Sequence, residues 1–240
     1  MQKFTLEDSN YSNLNSIQML CDKPLTTKRE IKEPFANCSF FMSIIGPPGS
    51  GKSSLMLQMI SSKKDKIYYR VFKDIMYVCP SSSRSSVKDN PLDDVVTFDN
   101  LNYDVLEEVQ QNKERYDKQD KNYNQLLIID DCGSFLKDSS SIDMLNELSM
   151  NRRHISLSII ILVQYMVSIP RSVRSQLSSV IMFKPANNED LETIRKEFVS
   201  MKKKDFENLS RFVFRFKHDN LFIDRGNNEL YKNLQKINFN

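Results

Sequence analysis

The feature that most restricts how this chain folds is one junction, where the apolar run Phe40-Phe41-Met42-Ser43-Ile44-Ile45 enters Gly46-Pro47-Pro48-Gly49-Ser50-Gly51-Lys52-Ser53. The run is short, apolar and aromatic-rich, and reads as a buried strand. Glycines at 46, 49 and 51 allow backbone N–H groups to turn inward onto an anion. Beyond the loop, Leu55, Met56, Met59 and Ile60 fall at helical spacing within Ser53–Ser61. Strand, loop and helix therefore frame a Gly-x-x-x-x-Gly-Lys-Ser phosphate loop. Its expected ligand is ATP with Mg²⁺. Residues Gly46 to Ser54 would wrap the phosphates, Lys52 would neutralise the β and γ groups, and the Ser53 hydroxyl would ligate the metal. The positive end of the following helix adds to the attraction.

The rest of the chain alternates in the same way. Strands are predicted at 75–79, 95–98, 126–131, 156–164 and 179–184, and helices at 102–120, 141–153, 188–198 and 204–209. Phe212–Phe216 and Leu221–Ile223, joined across 217–220, are predicted as a β-hairpin. Apolar strands interleaved with helices imply an α/β fold, a mostly parallel central sheet covered on both faces. The C-terminal hairpin would be added to it. Residues 1–37 are polar and read as an N-terminal arm, and 38–240 as the single ATPase domain. The charged segment 102–120 reads as an exposed helix, the best candidate for a surface insertion.

Three further features carry chemistry. Leu126-Leu127-Ile128-Ile129 ends in Asp130-Asp131, which places two carboxylates at the sheet edge beside the phosphates. Asp130 would hold Mg²⁺ through its water shell and Asp131 would polarise the attacking water, which favours hydrolysis over transfer to a small acceptor. Gln164 ends the apolar strand Ile159–Val163, between those two sites, and would sense the γ-phosphate or the water. Arginines flank this strand: Arg152 and Arg153 before it, Arg171 and Arg174 after it. Arg153 first and Arg152 second are the candidates for an arginine finger. They precede the strand and Gln164 follows it, so ten or eleven residues hold them roughly 30 Å apart. Such a finger could serve only a neighbouring subunit's nucleotide.

Other features narrow the class. No Asn-Lys-x-Asp follows the third strand, and Asn112-Lys113-Glu114-Arg115 lacks the Asp, which argues against guanine-specific chemistry. There is no arginine-rich lid of the nucleotide-kinase kind. Cys21, Cys38, Cys79 and Cys132 show no Cys-x-x-Cys spacing, and two histidines make a zinc site a poor fit. The net charge of +3 is too small for binding driven by whole-protein charge. Nucleic-acid contact would have to come from local patches such as 63–66 or 202–204. No apolar run reaches the ~18 residues a membrane span needs, and the polar start is unlike a signal peptide. The expectation is a reduced, intracellular chain.

Arg153-His154, then Leu157-x-Ile-Ile-Ile-Leu-Val-Gln164-Tyr165, then Ile169-Pro170-x-x-Val173-Arg174 carry a resemblance. Together with the phosphate loop and the paired acids, this order resembles the poxvirus-type DNA-packaging ATPases of large DNA viruses and virophages, a branch of the FtsK–HerA superfamily. The likeness covers roughly Phe40 to Lys184. It implies a ring motor, pentamer or hexamer, moving double-stranded DNA into a preformed capsid, with capsid portal or vertex proteins as partners and no membrane. The implied location is the host cytoplasm or viral factory, with association to virions. It supports the assignments of Lys52, Ser53, Asp130, Asp131 and Gln164, and leaves the choice of arginine open. No acid cluster that could bind paired metals follows residue 185, so a nuclease domain is not expected. Two other readings stay open: a helicase-like nucleic-acid ATPase, and an ATP-gated assembly switch with negligible turnover.

Overall fold

The computed structural model describes residues 31–37, 39–64, 67–84, 90–117, 123–131, 133 and 135–239. Most of the expected N-terminal arm, the end of the 102–120 helix and part of the 63–66 basic stretch lie outside these residues, as do Cys21, Cys38 and Cys132.

The expected first strand is β1 (Phe41–Ile45), and after the glycine loop comes helix α1 (Lys52–Ser61). Next are β2 (Asp74–Val78), the single turn α2 (Ser81–Arg84), β3 (Val96–Phe98) and α3 (Tyr103–Asp117). The acid-bearing strand is β4 (Gln125–Ile129), followed by α4 (Ser139–Asn151), β5 (Leu157–Val163), α5 (Arg171–Arg174) and β6 (Ser179–Phe183). Helix α6 (Asn188–Ile194) continues into a π-turn at Arg195–Val199, and α7 (Lys203–Val213) leads to β7 (Asn220–Asp224), β8 (Glu229–Lys232) and β9 (Gln235–Lys236).

The nine strands of the described residues form one sheet in the order β3-β2-β4-β5-β1-β6-β7-β8-β9. The six from β3 to β6 run parallel, and the last three are antiparallel. Strands β1, β4, β5 and β6 are buried along their whole length. Helices on both faces of a parallel sheet favour apolar residues at nearly every strand position, so these segments are mostly apolar, with buried Ser43, Gln125, Ser158 and Ser179 the polar exceptions. Phe40, Met42 and Ile44 pack on one face with α1 and an aromatic group that includes Phe35, Tyr68 and Phe222. Phe41 and Ile45 pack on the other face with α3 to α7. Phe35 meets Tyr68 and Phe222 edge-on, which ties residues just before the sheet to β7.

Two expectations are corrected. The hairpin exists, but its strands are β7 and β8, turning through residues 225–228. Phe212 instead belongs to α7, where Phe206, Leu209 and Val213 are buried at helical spacing. The aromatic run 212–216 mimics a strand because helix α7 ends inside it. The segment 102–120 is not a surface excursion either. Val105 and Val109 are fully buried and Asn112 nearly so, so α3 is an amphipathic helix laid on the sheet. Its charged residues cover only the outer side.

Candidate active site

The parallel strands all end at one edge, and the functional side chains collect there. Val163 pairs with Ile45, so Gly46 and Gln164 leave the sheet at the same level, and the Gly46 N–H donates to the Val163 carbonyl at 3.2 Å. One strand further, Ile129 pairs with Ile161, and Asp130 follows it. Register alone thus brings residues from three separate parts of the chain to a cavity of about 670 Å³. Lys52, Ser53, Asp130, Asp131 and Gln164 line it, with Pro48 and Gly49.

The loop needs its glycines for stated reasons. A Cβ on Gly46 would sit 2.8 Å from both the Phe183 Cβ and the Ser50 Oγ, so only a hydrogen fits. Gly49 and Gly51 have φ of 72° and 108°, a region that side chains disfavour. Gly51 caps α1, and the Lys52 ammonium curls back to donate to the carbonyls of Gly46 at 2.7 Å and Pro47 at 3.2 Å. Burial lowers the Lys52 pKa, with Asp130 and Asp131 opposing that shift. This cation is held ready inside the loop that would receive phosphate.

Ser53 Oγ donates to Asp130 Oδ2 at 3.0 Å, joining the first turn of α1 to the end of β4. Tyr77, on the neighbouring strand β2, makes a longer contact from its hydroxyl to the same oxygen, at 3.4 Å. Burial raises the Asp130 pKa, while the Ser53 hydrogen bond and the Lys52 charge act against it. Asp131 differs from its neighbour. It is exposed, adopts a left-handed backbone with φ 55°, and accepts a 2.5 Å hydrogen bond from Ser83 Oγ of α2. One acid faces α1 and the other faces α2. Gln164 is exposed in the cavity next to Tyr165.

Among the lining residues that sequence reasoning missed are Tyr77 in β2, Ser82 and Ser83 after it, and Lys137 after β4. No sequence signal pointed to them, because β2 reaches this edge only by lying next to β4. The loop after β5 is fixed from behind. Asn187 caps α6 by accepting from the Asp190 N–H, worth ~1 kcal/mol, and the buried Asp190 accepts from the Val167 N–H at 3.2 Å.

None of the four candidate arginines lines this cavity. Arg152 and Arg153 border a separate cavity with residues 31–37, Ser178 and Asp224, at the start of the strands. Arg152 donates to the Ser149 carbonyl and closes α4. The strand between them and Gln164 is seven residues long, shorter than expected, and spans roughly 23 Å. Arg174 is committed to the fold: it grips Glu197 through two hydrogen bonds at 2.9 and 2.8 Å and reaches the Ile169 carbonyl at 2.7 Å. Arg171 is exposed at the start of α5.

A parallel sheet, a phosphate loop off one strand, an acid at the tip of another and a glutamine between them define a P-loop ATPase, an ATP-hydrolysing enzyme. Residues 28–225 match the Poxvirus A32 protein family, and the chain belongs to that family. The fold is similar to the genome packaging NTPase B204 of Sulfolobus turreted icosahedral virus 2 in complex with ATP-gammaS, at 21% identity over 81% of this chain and 96% of that one, with a TM-score of 0.57. The DNA-packaging ATPase B204 from Sulfolobus turreted icosahedral virus aligns over 82% and 97% at 19% identity, with a TM-score of 0.59. The pCW3 conjugation coupling protein TcpA, a monomer form with ATPgS, aligns over 85% of this chain and 61% of its own, at 13% identity and a TM-score of 0.57. No curated protein sequence matches the chain. Among the described residues, no helix is long and apolar enough to cross a membrane.

Proposed function

We propose that this chain is a viral DNA-packaging motor that couples ATP hydrolysis to movement of double-stranded DNA into a preformed capsid. The observation that carries the hydrolytic part is the Ser53–Asp130 contact at 3.0 Å beside Lys52. Membership of the A32 family and the fold shared with B204, a genome packaging NTPase, support the packaging part.

The donor set fits Mg²⁺. Ser53 Oγ and Asp130 Oδ2 are hard oxygens already within one hydrogen bond of each other, and Mg²⁺ keeps several waters beside one or two such ligands. Bound there, the metal would supply charge neutralisation between the β and γ phosphates. The protein's own residues do the rest. The loop N–H groups and the Lys52 ammonium take up the phosphate charge. Burial disfavours an unpaired charge on Asp130, and the Ser53 hydroxyl and Lys52 offset that cost. Asp131, outside the buried pair, would accept a proton from an attacking water, with its carboxylate held by the Ser83 hydroxyl. Gln164 positions that water or the γ-phosphate.

Among the described residues no arginine lines the cavity, so the transition-state cation would come from an adjacent subunit in a ring, with Arg153 as first choice. Capsid portal or vertex proteins would be the fixed partners. The test is an ATPase assay with and without duplex DNA, paired with a mass measurement in both conditions. Duplex DNA is expected to raise turnover together with assembly. Stimulation by single strands alone would instead favour the helicase-like reading. ATP-dependent assembly with negligible turnover would favour the switch.

A further inference from the structure

The loop between α7 and β7, residues 214–219, has no role in the hydrolytic chemistry above, yet it is fastened to the phosphate loop. His218 Nδ1 lies 2.9 Å from the Ser50 carbonyl oxygen. A carbonyl only accepts, so Nδ1 carries the proton and donates it. The same nitrogen would stand 3.5 Å from a Cβ on Gly51. The loop is also locked from within. Asp219, 5% exposed, accepts from the N–H groups of Arg215 at 3.1 Å and Phe216 at 2.9 Å and from Asn233 Nδ2 at 2.7 Å. Lys232 Nζ completes the clamp 3.2 Å from the carboxylate. Despite this anchoring, the Phe216 ring is 73% exposed. An exposed aromatic ring two residues from a contact with the phosphate loop is well suited to stacking a flat partner.

Topology says which part of the nucleotide lies there. Strand β1, which feeds the phosphate loop, is flanked by β5 on one side and β6 on the other. The acids and Gln164, which belong at the γ-phosphate, come from β4 and β5. A phosphate chain bound along the loop with its γ end on that side must send its ribose and base the other way, over β6 and β7. The loop 214–219 enters β7 at that place.

We propose that Phe216 stacks on the nucleobase of the bound nucleotide, and that His218 and Asp219 are positioning residues that hold the ring over the β6–β7 side of the phosphate loop. The assignment rests on the ATP-site reading given above. Because every base has a π face, stacking supplies affinity with little discrimination among bases.

The chain contains no tryptophan, so Phe216→Trp introduces a single reporter. Its emission should change on adding ATP or GTP and stay constant with inorganic tripolyphosphate, which fills the cradle but has no base. Phe216→Ala should weaken ATP binding about 5- to 100-fold, the range expected for one stacked base, and leave tripolyphosphate affinity unchanged. Equal responses to ATP and tripolyphosphate, or no loss in Phe216→Ala, would overturn the proposal. So would a variant whose assembly mass falls while its ATP affinity holds, because the ring would then face a neighbouring copy. Lys52→Ala separates the two layers: if it leaves both ligands bound as tightly as before, the cradle reading fails and takes the base assignment with it. If it weakens both and Phe216→Ala weakens neither, only the base assignment falls.

Discussion

The two edges of the central sheet differ in what a single chain can finish. At the C-terminal edge the groups already satisfy one another: Ser53 with Asp130, Ser83 with Asp131, and Lys52 with its own loop carbonyls. At the N-terminal edge, Arg152 and Arg153 border a separate cavity shared with residues 31–37. Six parallel strands cause this division, because every strand then delivers its terminal residues to the same side. The lesson is that strand direction gathers the phosphate loop, the acids and Gln164 at one edge and leaves Arg152 and Arg153 at the other.

The comparison breaks most sharply at Lys52. Lys52→Ala removes the ammonium that donates to the Gly46 and Pro47 carbonyls, and turnover is expected to fall below detection with ATP binding much weakened. A folded variant that hydrolyses ATP at a near-normal rate would show that the C-terminal edge is not the site.

The opposite edge is tested by Arg153→Ala. If the ring reading holds, the assembled variant should lose about 10³-fold or more in turnover, the range for a finger supplied in trans, while each subunit binds ATP normally. Mixing Arg153→Ala subunits, which keep intact cradles, with Lys52→Ala subunits, which keep intact fingers, should restore activity that neither has alone. Without rescue on mixing, the two edges do not cooperate across subunits.

Within the nucleotide edge, Asp131→Asn should cut turnover about 10²- to 10⁴-fold, the usual weight of a general base, and keep Mg·ATP binding. Asp130→Asn should instead make binding less dependent on Mg²⁺. Identical Mg²⁺ titrations for the two variants, with turnover intact in both, would remove the division of roles.

The smallest effect concerns the clamp at the far side of the loop. Asn233, then the Phe216 N–H and Lys232, hold the Asp219 carboxyl down at about 2. An unfolded Asp titrates near ~3.9. A depressed folded pKa contributes stability that is complete above the unfolded value and is lost as pH falls through the folded one. Acid unfolding should therefore steepen between about pH 4 and pH 2, and Asp219→Asn should flatten that limb. Equal acid limbs in both proteins would mean that the clamp does not form in solution.

How much of this was legible in the sequence follows from how local each signal is. The phosphate loop, the two acids and Gln164 each close an apolar strand, and that pattern survives in one dimension. Tyr77, Ser83 and Lys137 leave no such trace, because they matter only once β2 and β4 lie side by side. The hairpin was misplaced for a related reason. Phe212, Phe214 and Phe216 alternate like a strand, but burial of Phe206, Leu209 and Val213 against the sheet carries the helix through Val213. Packing overrode a local pattern.

The sequence by itself determined the α/β class, the phosphate loop and the order in which acids and amide leave the strands, since these rest on strand-length apolar runs and on glycine's backbone freedom. Only the tertiary structure decided the rest. Strand order put β4, β5 and β1 adjacent, and register set Gly46 level with Gln164. Those two choices separate one acid into a buried pair with Ser53 and leave the other exposed beside Ser83. They also send Arg174 into a fold-stabilising grip on Glu197, and bring a loop 168 residues from Ser50 onto its carbonyl. The physical reason is that pairing and burial depend on which elements meet, and that is a property of the packed sheet and not of any segment within it.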